Sequence, residues 1–364
     1  MFVAWRDLRS AKGRFALMGS VIVLITVLVG LLSGLTAGLG RENTSAVTSL
    51  PADHLVFSAP AGKDDVAFTD SHIDAETAES WASVPGVERA EPLGIATTKA
   101  GSGARTAALS AFGVRPGSPL APEAERLVPG AAVLSGKAAE ELGVRAGDRF
   151  TLAGQRLRVA AVSGEAMYSH TPVVWTALDD WQRVGGGPAA TEAQGGATVL
   201  ALTTRDADPA GLAAADKKLG TRTVTSADAL RAIGSFTAEN GSLQLMRGFL
   251  FAISALVIGA FFTVWTIQRS GDVAVLKALG ASTRYLLRDA LGQAVVLLVA
   301  GTGLGTAVAA GVGAAVGGTV PFVLEPATVL VPALIMIALG AVGAALSIRR
   351  ITAVDPLTAL GSAR

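Results

Sequence analysis

Cysteine is absent from the chain, so no disulfide framework and no thiolate metal site can form, and any domain outside the cytoplasm must be held by its core. Histidine occurs three times, at His54, His72 and His170, and no two of these have metal-ligand spacing, which argues against a metal held by the protein alone. No G-x-x-x-x-G-K-[ST] phosphate loop occurs. The nearest glycine-rich stretch, Gly101–Arg105 (GSGAR), has the wrong spacing, so the chain is not expected to hydrolyse ATP itself. Charge is scarce too: Asp, Glu, Lys and Arg make up 16% of the 364 residues, against 51% hydrophobic residues. With a mean hydropathy of +0.50, that balance exceeds what a soluble globular protein carries and points to the membrane.

What the sequence does have is long apolar runs. Phe15–Leu39 contains no ionisable residue, and at ~1.5 Å per residue it exceeds the ~30 Å hydrocarbon core. It is also longer than the ~7–15 apolar residues of a secretory leader and is expected to remain as a span. Three further spans are Phe249–Ile267, Ala290–Val316 and Val329–Ile348. The third span in order is rich in Gly and Ala, which suits an interior or dimer-facing helix. The organisation expected is an interfacial basic helix over 1–14, transmembrane helices over 15–40, 244–268, 290–317 and 329–348, a cytoplasmic loop over 269–289, a short outer turn over 318–328 and a cytoplasmic tail over 349–364.

Net charge is +1, but it is unevenly spread. Residues 41–243 carry 18 Lys and Arg against 24 Asp and Glu, a balance of −6, and the residues beside the apolar runs carry the opposite excess of +7. The positive-inside rule places both termini and the 269–289 loop in the cytoplasm, and residues 41–243 outside the plasma membrane.

That external segment reads as an α/β domain. Asp74–Val84 looks like a helix with acidic residues in its first turn, and Val87–Thr98 like a strand after the Pro85-Gly86 turn. Later come a strand at Thr198–Thr203, a helix at Asp208–Leu219, a strand at Thr221–Thr225 and a helix from Ser226. In Arg145–Val162, alternation at Phe150, Leu152, Leu157 and Val159 flanks Ala153-Gly154, the pattern of a β-hairpin. The hairpin is expected to belong to a small β-rich insertion over about 104–175, and the Gly/Ala-rich 184–197 stretch is expected to be a loop. The fold class is thus membrane α-helical, four spans with a large α/β domain between spans 1 and 2.

Between spans 2 and 3 charge returns abruptly. Val273, Leu276, Lys277 and Gly280 fall at i, i+3, i+4 and i+7, the pattern of a short amphipathic helix closing at Gly280 as its C′ residue. Such a helix is too short to stand alone and needs a membrane surface or a partner. Arg269–Thr283 resembles the signature of the FtsX-like and MacB-like permeases of ABC transporters, R-x-x-E-[IV]-[AG]-[VIL]-L-[KR]-A-[LI]-G-[AM]-[ST]. Arg269 and Val273 to Ser282 follow it, and Asp272 stands where Glu is usual. Trp5-Arg6-Asp7-Leu8 and the tail Ala353-Val354-Asp355-Pro356-Leu357-Thr358-Ala359-Leu360 extend the resemblance to the whole chain.

The resemblance implies a MacB-like external domain and a coupling helix docked on a separate ATPase subunit. Asp272, Val273, Leu276, Lys277, Leu279 and Gly280 would form the contact, with Val273, Leu276 and Leu279 in a groove of the partner. It also implies a homodimer working with two copies of that ATPase, which would hold the ATP and Mg. This chain itself would carry no cofactor; membrane lipid surrounds it, and nucleic acid is not an expected partner.

Candidate substrate groups cluster near the outer face. Glu42 ends span 1, and Glu239 and Met246, seven residues apart, share one helical face where span 2 begins. A hard carboxylate and a soft thioether could meet a metalloporphyrin over an apolar bed that includes Leu39 and Phe249. A second cluster, Met167, Tyr168 and His170, lies in EAMYSHTPVVW, a segment that resembles the haem-efflux permeases of Gram-positive bacteria. A polar loop packing on its own domain is the plainer reading of it. Haem is the favoured cargo. Export of a peptide, lipid or drug, or force transmission to a cell-wall hydrolase without transport, are the alternatives.

Overall fold

The computed structural model describes residues 12–59, 65–185, 196–268, 271, 275–277, 279–317 and 319–352. They divide into two compact units, residues 39–241 and the residues flanking them on both sides. Helix α1 (Lys12–Thr48) begins in the flanking unit, and from Leu39 onward its residues belong to the other. The N-terminal segment before residue 12, the tail from residue 353 and most of the 184–197 loop lie outside the described residues.

The 39–241 unit runs β1 (His54–Ser58), α2 (Ala75–Ala82), β2 (Val87–Ser102), β3 (Arg105–Val114), β4 (Ala131–Leu134), α3 (Gly136–Leu142), β5 (Arg149–Leu152), β6 (Gln155–Val162), β7 (Met167–Tyr168), β8 (Thr171–Ala177), α4 (Leu178–Gly185), β9 (Val199–Thr204), α5 (Pro209–Leu219) and β10 (Thr221–Thr225). The strands form one ten-stranded sheet in the order β10-β1-β9-β2-β3-β8-β4-β6-β5, with β7 on β8 and β5 also on β2. That last pairing closes β2, β3, β8, β4, β6 and β5 into a ring, and β10, β1 and β9 continue from the other half of β2 as an open sheet.

Local chemistry accounts for the elements. The first four residues of β9, Val199 to Leu202, read as an apolar run because both faces are covered: Val199 and Ala201 join Phe57 and Phe112, and Leu200 and Leu202 join Trp81 and Leu212 of the flanking helices. Asp74 caps α2 by accepting from the Thr77 N–H at 2.7 Å, and Asp208 caps α5. Gly94 and Gly113, opposite each other on β2 and β3, leave the space into which Trp181 of α4 packs flat.

Two expectations are corrected. The β-rich 104–175 segment does not stand apart from the rest of the sheet, because the sixteen-residue β2 pairs with β9 over Val87–Leu93 and with β3 over Leu93–Ser102, so one strand carries both parts. It also contains α3. The helix read from Ser226 is instead a 3₁₀ turn, Asp228–Ala232, followed by an extended Ile233. Ala229, Ala232 and Ile233 of this segment are buried in the core. The β5–β6 hairpin agrees with its sequence pattern: Leu152 pairs with Gln155, and Ala153 and Gly154 both have positive φ, as a two-residue type I′ turn requires.

The flanking unit consists of the first part of α1 with α6 (Gly234–Gln268, from Ser242), α7 (Thr283–Val316) and α8 (Pro326–Thr352). All four helices are long and apolar enough to cross a membrane, and each extends beyond the apolar run that marks it in the sequence. Ile22, Ile258, Phe262, Leu298 and Met336 meet in their shared core. Small residues set the close approaches: Gly301 lies against Ile22 and Gly305 against Thr26. The 319–325 connection is tucked in as well, with Phe322 between Gly34 and Gly313 and the Val323 N–H bonded to the Gly34 carbonyl at 3.1 Å.

Candidate functional site

The end of α1, the β7–β8 tip and the start of α6 meet at one polar cluster within the 39–241 unit. The hairpin turn is Ser169-His170, two side-chain-bearing residues at φ 49° and 62°, a region that normally favours glycine or asparagine. Docking holds them there: the Ser169 N–H bonds to the Asn43 carbonyl at 2.9 Å and the His170 N–H to the Glu42 carbonyl at 3.2 Å. Ser45 joins the same edge, accepting from the Met167 N–H at 2.9 Å.

The side chains then form a chain of charge. Lys137 Nζ of α3 donates to Glu42 Oε1 at 2.6 Å, and the other Glu42 oxygen lies 3.9 Å from His170 Nδ1. His170 Nε2 lies 2.7 Å from Glu239 Oε2, which also accepts from Asn43 Nδ2 at 3.1 Å. With Nε2 protonated toward Glu239, its 3.3 Å approach to Asn43 Nδ2 brings two donors together and adds no bond. Ser235 donates to Asn43 Oδ1 at 3.2 Å, which fixes the amide orientation. Asn43 is 1% exposed, whereas the Glu239 side chain is 45% exposed. The cluster is therefore anchored inside and open at one carboxylate. Among the described residues, no three His, Asp or Glu side chains are arranged to hold a metal ion.

The structure thus joins Glu42, Glu239 and His170, which the sequence placed in two separate clusters. Asn43, Lys137, Ser169 and Ser235 were not singled out, since nothing in their local sequence marks them. Tyr168, expected beside a substrate, is a core residue: it packs edge-on against Phe68 and Phe112, and burial pushes its phenol pKa up. Met246 and Phe249 lie further along α6, 48% and 61% exposed, and Leu39 is partly buried.

In the 269–289 loop, Asp272 and Val273 lie outside the described residues. Residues 275–277 are helical, and the turn closes as a Schellman motif, with the Ala281 N–H on the Leu276 carbonyl at 2.9 Å and the Gly280 N–H on the Lys277 carbonyl at 3.0 Å. Gly280 has φ 94°, which only glycine adopts at little cost. Leu276 and Lys277 are partly buried, while Val275 and Leu279, four apart, are 54% and 79% exposed. Of the expected contact residues, Leu279 is thus exposed and Leu276 partly covered, and among the described residues Val275 shares the exposed apolar edge with Leu279.

Comparison with known proteins covers the same regions. The FtsX-like permease C-terminal region matches residues 245–356, and the MacB-like periplasmic core domain matches residues 15–219. A Staphylococcus haemolyticus protein that carries the name hemin transport system permease protein HrtB is 26% identical over 99% of both chains. An ABC transporter permease of Mycobacterium tuberculosis (strain H37Rv) is 25% identical over 99% of both. The extracellular domain of YknZ, a noncanonic ABC-type transporter of Gram-positive bacteria, is 15% identical, with 47% of this chain and 97% of that one covered at a TM-score of 0.35.

Proposed function

The chain belongs to the MacB-like periplasmic core domain family, with an FtsX-like permease region at its C-terminal side, and from that membership we propose that it is the permease subunit of an ABC-type pump that expels haem from the membrane. The observation that carries the proposal is the end-to-end similarity to permeases named for hemin transport, over 99% of both chains. ATP and Mg would be bound by a separate ATPase, because the chain has no phosphate loop of its own. Two copies of this chain would pair with two of that subunit.

Movement would enter through the 269–289 loop, whose exposed Val275 and Leu279 suit a groove on the ATPase, with Arg284 at the rim. Because that loop joins α6 to α7, motion of the ATPase pulls directly on two spans. Haem would lie along α6, its ring on apolar side chains at ~25 cal/mol per Å² buried, with iron ligands drawn from Glu239 and Met246. Glu239 has to leave His170, 2.7 Å away, to reach iron, and its exposure makes that exchange feasible.

The test is a haemin titration of the purified protein followed through the Soret band, with haemin resistance of cells measured in parallel. Glu239→Ala and Met246→Ala should shift the band and weaken efflux, and His170→Ala should do less. Wild-type spectra and full protection from the first two, with loss of both in His170→Ala, would move the ligand site onto the β7–β8 tip.

A further inference from the structure

Arg247 is a charged residue on the wrong side of its helix. Ser254, Ile258 and Trp265, all buried, follow it at i+7, i+11 and i+18, so it starts the stripe that α6 turns toward the helix bundle. Its Nε is closed off from solvent and has no hydrogen-bond partner among the described residues. The one acidic residue of α6, Glu239, is two turns away and already bonded to His170 and Asn43.

A guanidinium in an apolar segment is costly without a counter-ion, and its planar fork is matched by a carboxylate or a phosphate rather than by a neutral group. The surroundings on α6 narrow the choice. Leu243 and Leu250, four before and three after Arg247, are partly buried, and Met246 beside it is 48% exposed. Together they make an apolar strip with a single cation at its edge, a pattern that fits a flat amphiphile bearing an acid group.

We propose that Arg247 receives a carboxylate of the transported amphiphile, which, resting on the haem reading above, is a porphyrin propionate. The ring then lies on Leu243, Met246 and Leu250, and the guanidinium selects for cargo that carries an acid and fixes which edge of the ring turns toward the bundle.

Haemin and haemin dimethyl ester, which lacks both carboxylates, separate this idea from its rivals when titrated into the full-length protein in phosphatidylcholine nanodiscs. Wild type should bind haemin about ten- to a hundredfold more tightly than the ester, the worth of a charge-assisted hydrogen bond. Arg247→Gln should bind haemin only as well as it binds the ester, with ester affinity unchanged from wild type, which also shows the variant to be folded. Arg247→Lys, keeping the charge without the fork, should fall between. Equal affinity of wild type for both porphyrins, or undiminished discrimination in Arg247→Gln, overturns the proposal and leaves haem efflux standing, with the guanidinium then serving a lipid phosphate. Binding of neither porphyrin by wild type overturns the haem reading and the proposal together.

Discussion

At the scale of single residues, carboxylates cap backbone ends and pair with basic or imidazole side chains. Asp74 is the simplest case: it accepts from the Thr77 N–H at 2.7 Å, and that backbone bond is the main reason its pKa lies below the ordinary aspartate value. A carboxyl with a lowered pKa adds stability above its unfolded value of about 4, and the contribution disappears as pH falls through the lower folded value. Asp74→Ala should therefore lower stability by about 1 kcal/mol at neutral pH, and the gap to wild type should close under acid, as followed by thermal unfolding. The Glu42–His170–Glu239 chain works differently. There the ionic groups hold a strained hairpin tip against α1, so the same side chains serve folding and remain exposed enough to exchange partners.

At the scale of elements, glycine marks where two segments have to touch. A side chain at Gly34 would run into the Phe322 ring, and one at Gly38 into the Pro321 carbonyl, so the 319–325 connection is seated on a glycine-lined face of α1. Gly34→Leu should lower the melting temperature in detergent, and Phe322→Ala should recover part of the loss in the double variant, a coupling of about 1–3 kcal/mol. Additive effects would mean that the ring and the glycine do not meet. The coupling turn makes the second prediction at this scale. If Leu279 fills an apolar groove of the ATPase as proposed, Leu279→Asp buries a charge there at a cost of several kcal/mol and should abolish copurification of the ATPase while leaving the protein inserted. Val275→Asp should act alike, and Leu276→Asp should instead disturb the turn itself, since Leu276 is partly buried and its carbonyl closes the Schellman motif.

Several of these elements were legible because a local rule fixes them. Gly280 as C′, the helices that begin beside Asp74 and Asp208, and Ala153-Gly154 as a two-residue turn each depend on neighbours within a few residues. What escaped reading depends on distant partners. The ring of strands needs β5 to reach β2, fifty residues earlier in the chain, and nothing in either strand announces it. Likewise Lys137 meets Glu42 only because α3 and the end of α1 converge, and Tyr168 is polar in name while its environment is Phe68 and Phe112.

At the scale of the whole molecule, the number of spans and the distribution of charge make separate statements about sidedness. Between α5 and the 319–325 connection the chain crosses the membrane twice, through α6 and α7, so any orientation puts position 218 and position 319 on the same side and position 279 on the opposite one. Charge makes the prediction of which side is which: by the positive-inside rule, the Lys and Arg excess beside the spans should put position 279 in the cytoplasm. Because the natural chain has no cysteine, single cysteines at Lys218, Thr319 and Leu279, all exposed, report this without background. An impermeant thiol reagent on intact cells should label Lys218→Cys and Thr319→Cys, and should label Leu279→Cys only after the membrane is opened. Labelling of Leu279→Cys alone from outside would reverse the orientation and leave the span count intact. Labelling of Lys218→Cys without Thr319→Cys would break the count itself, and with it the assignment of α6 or α7 as a span.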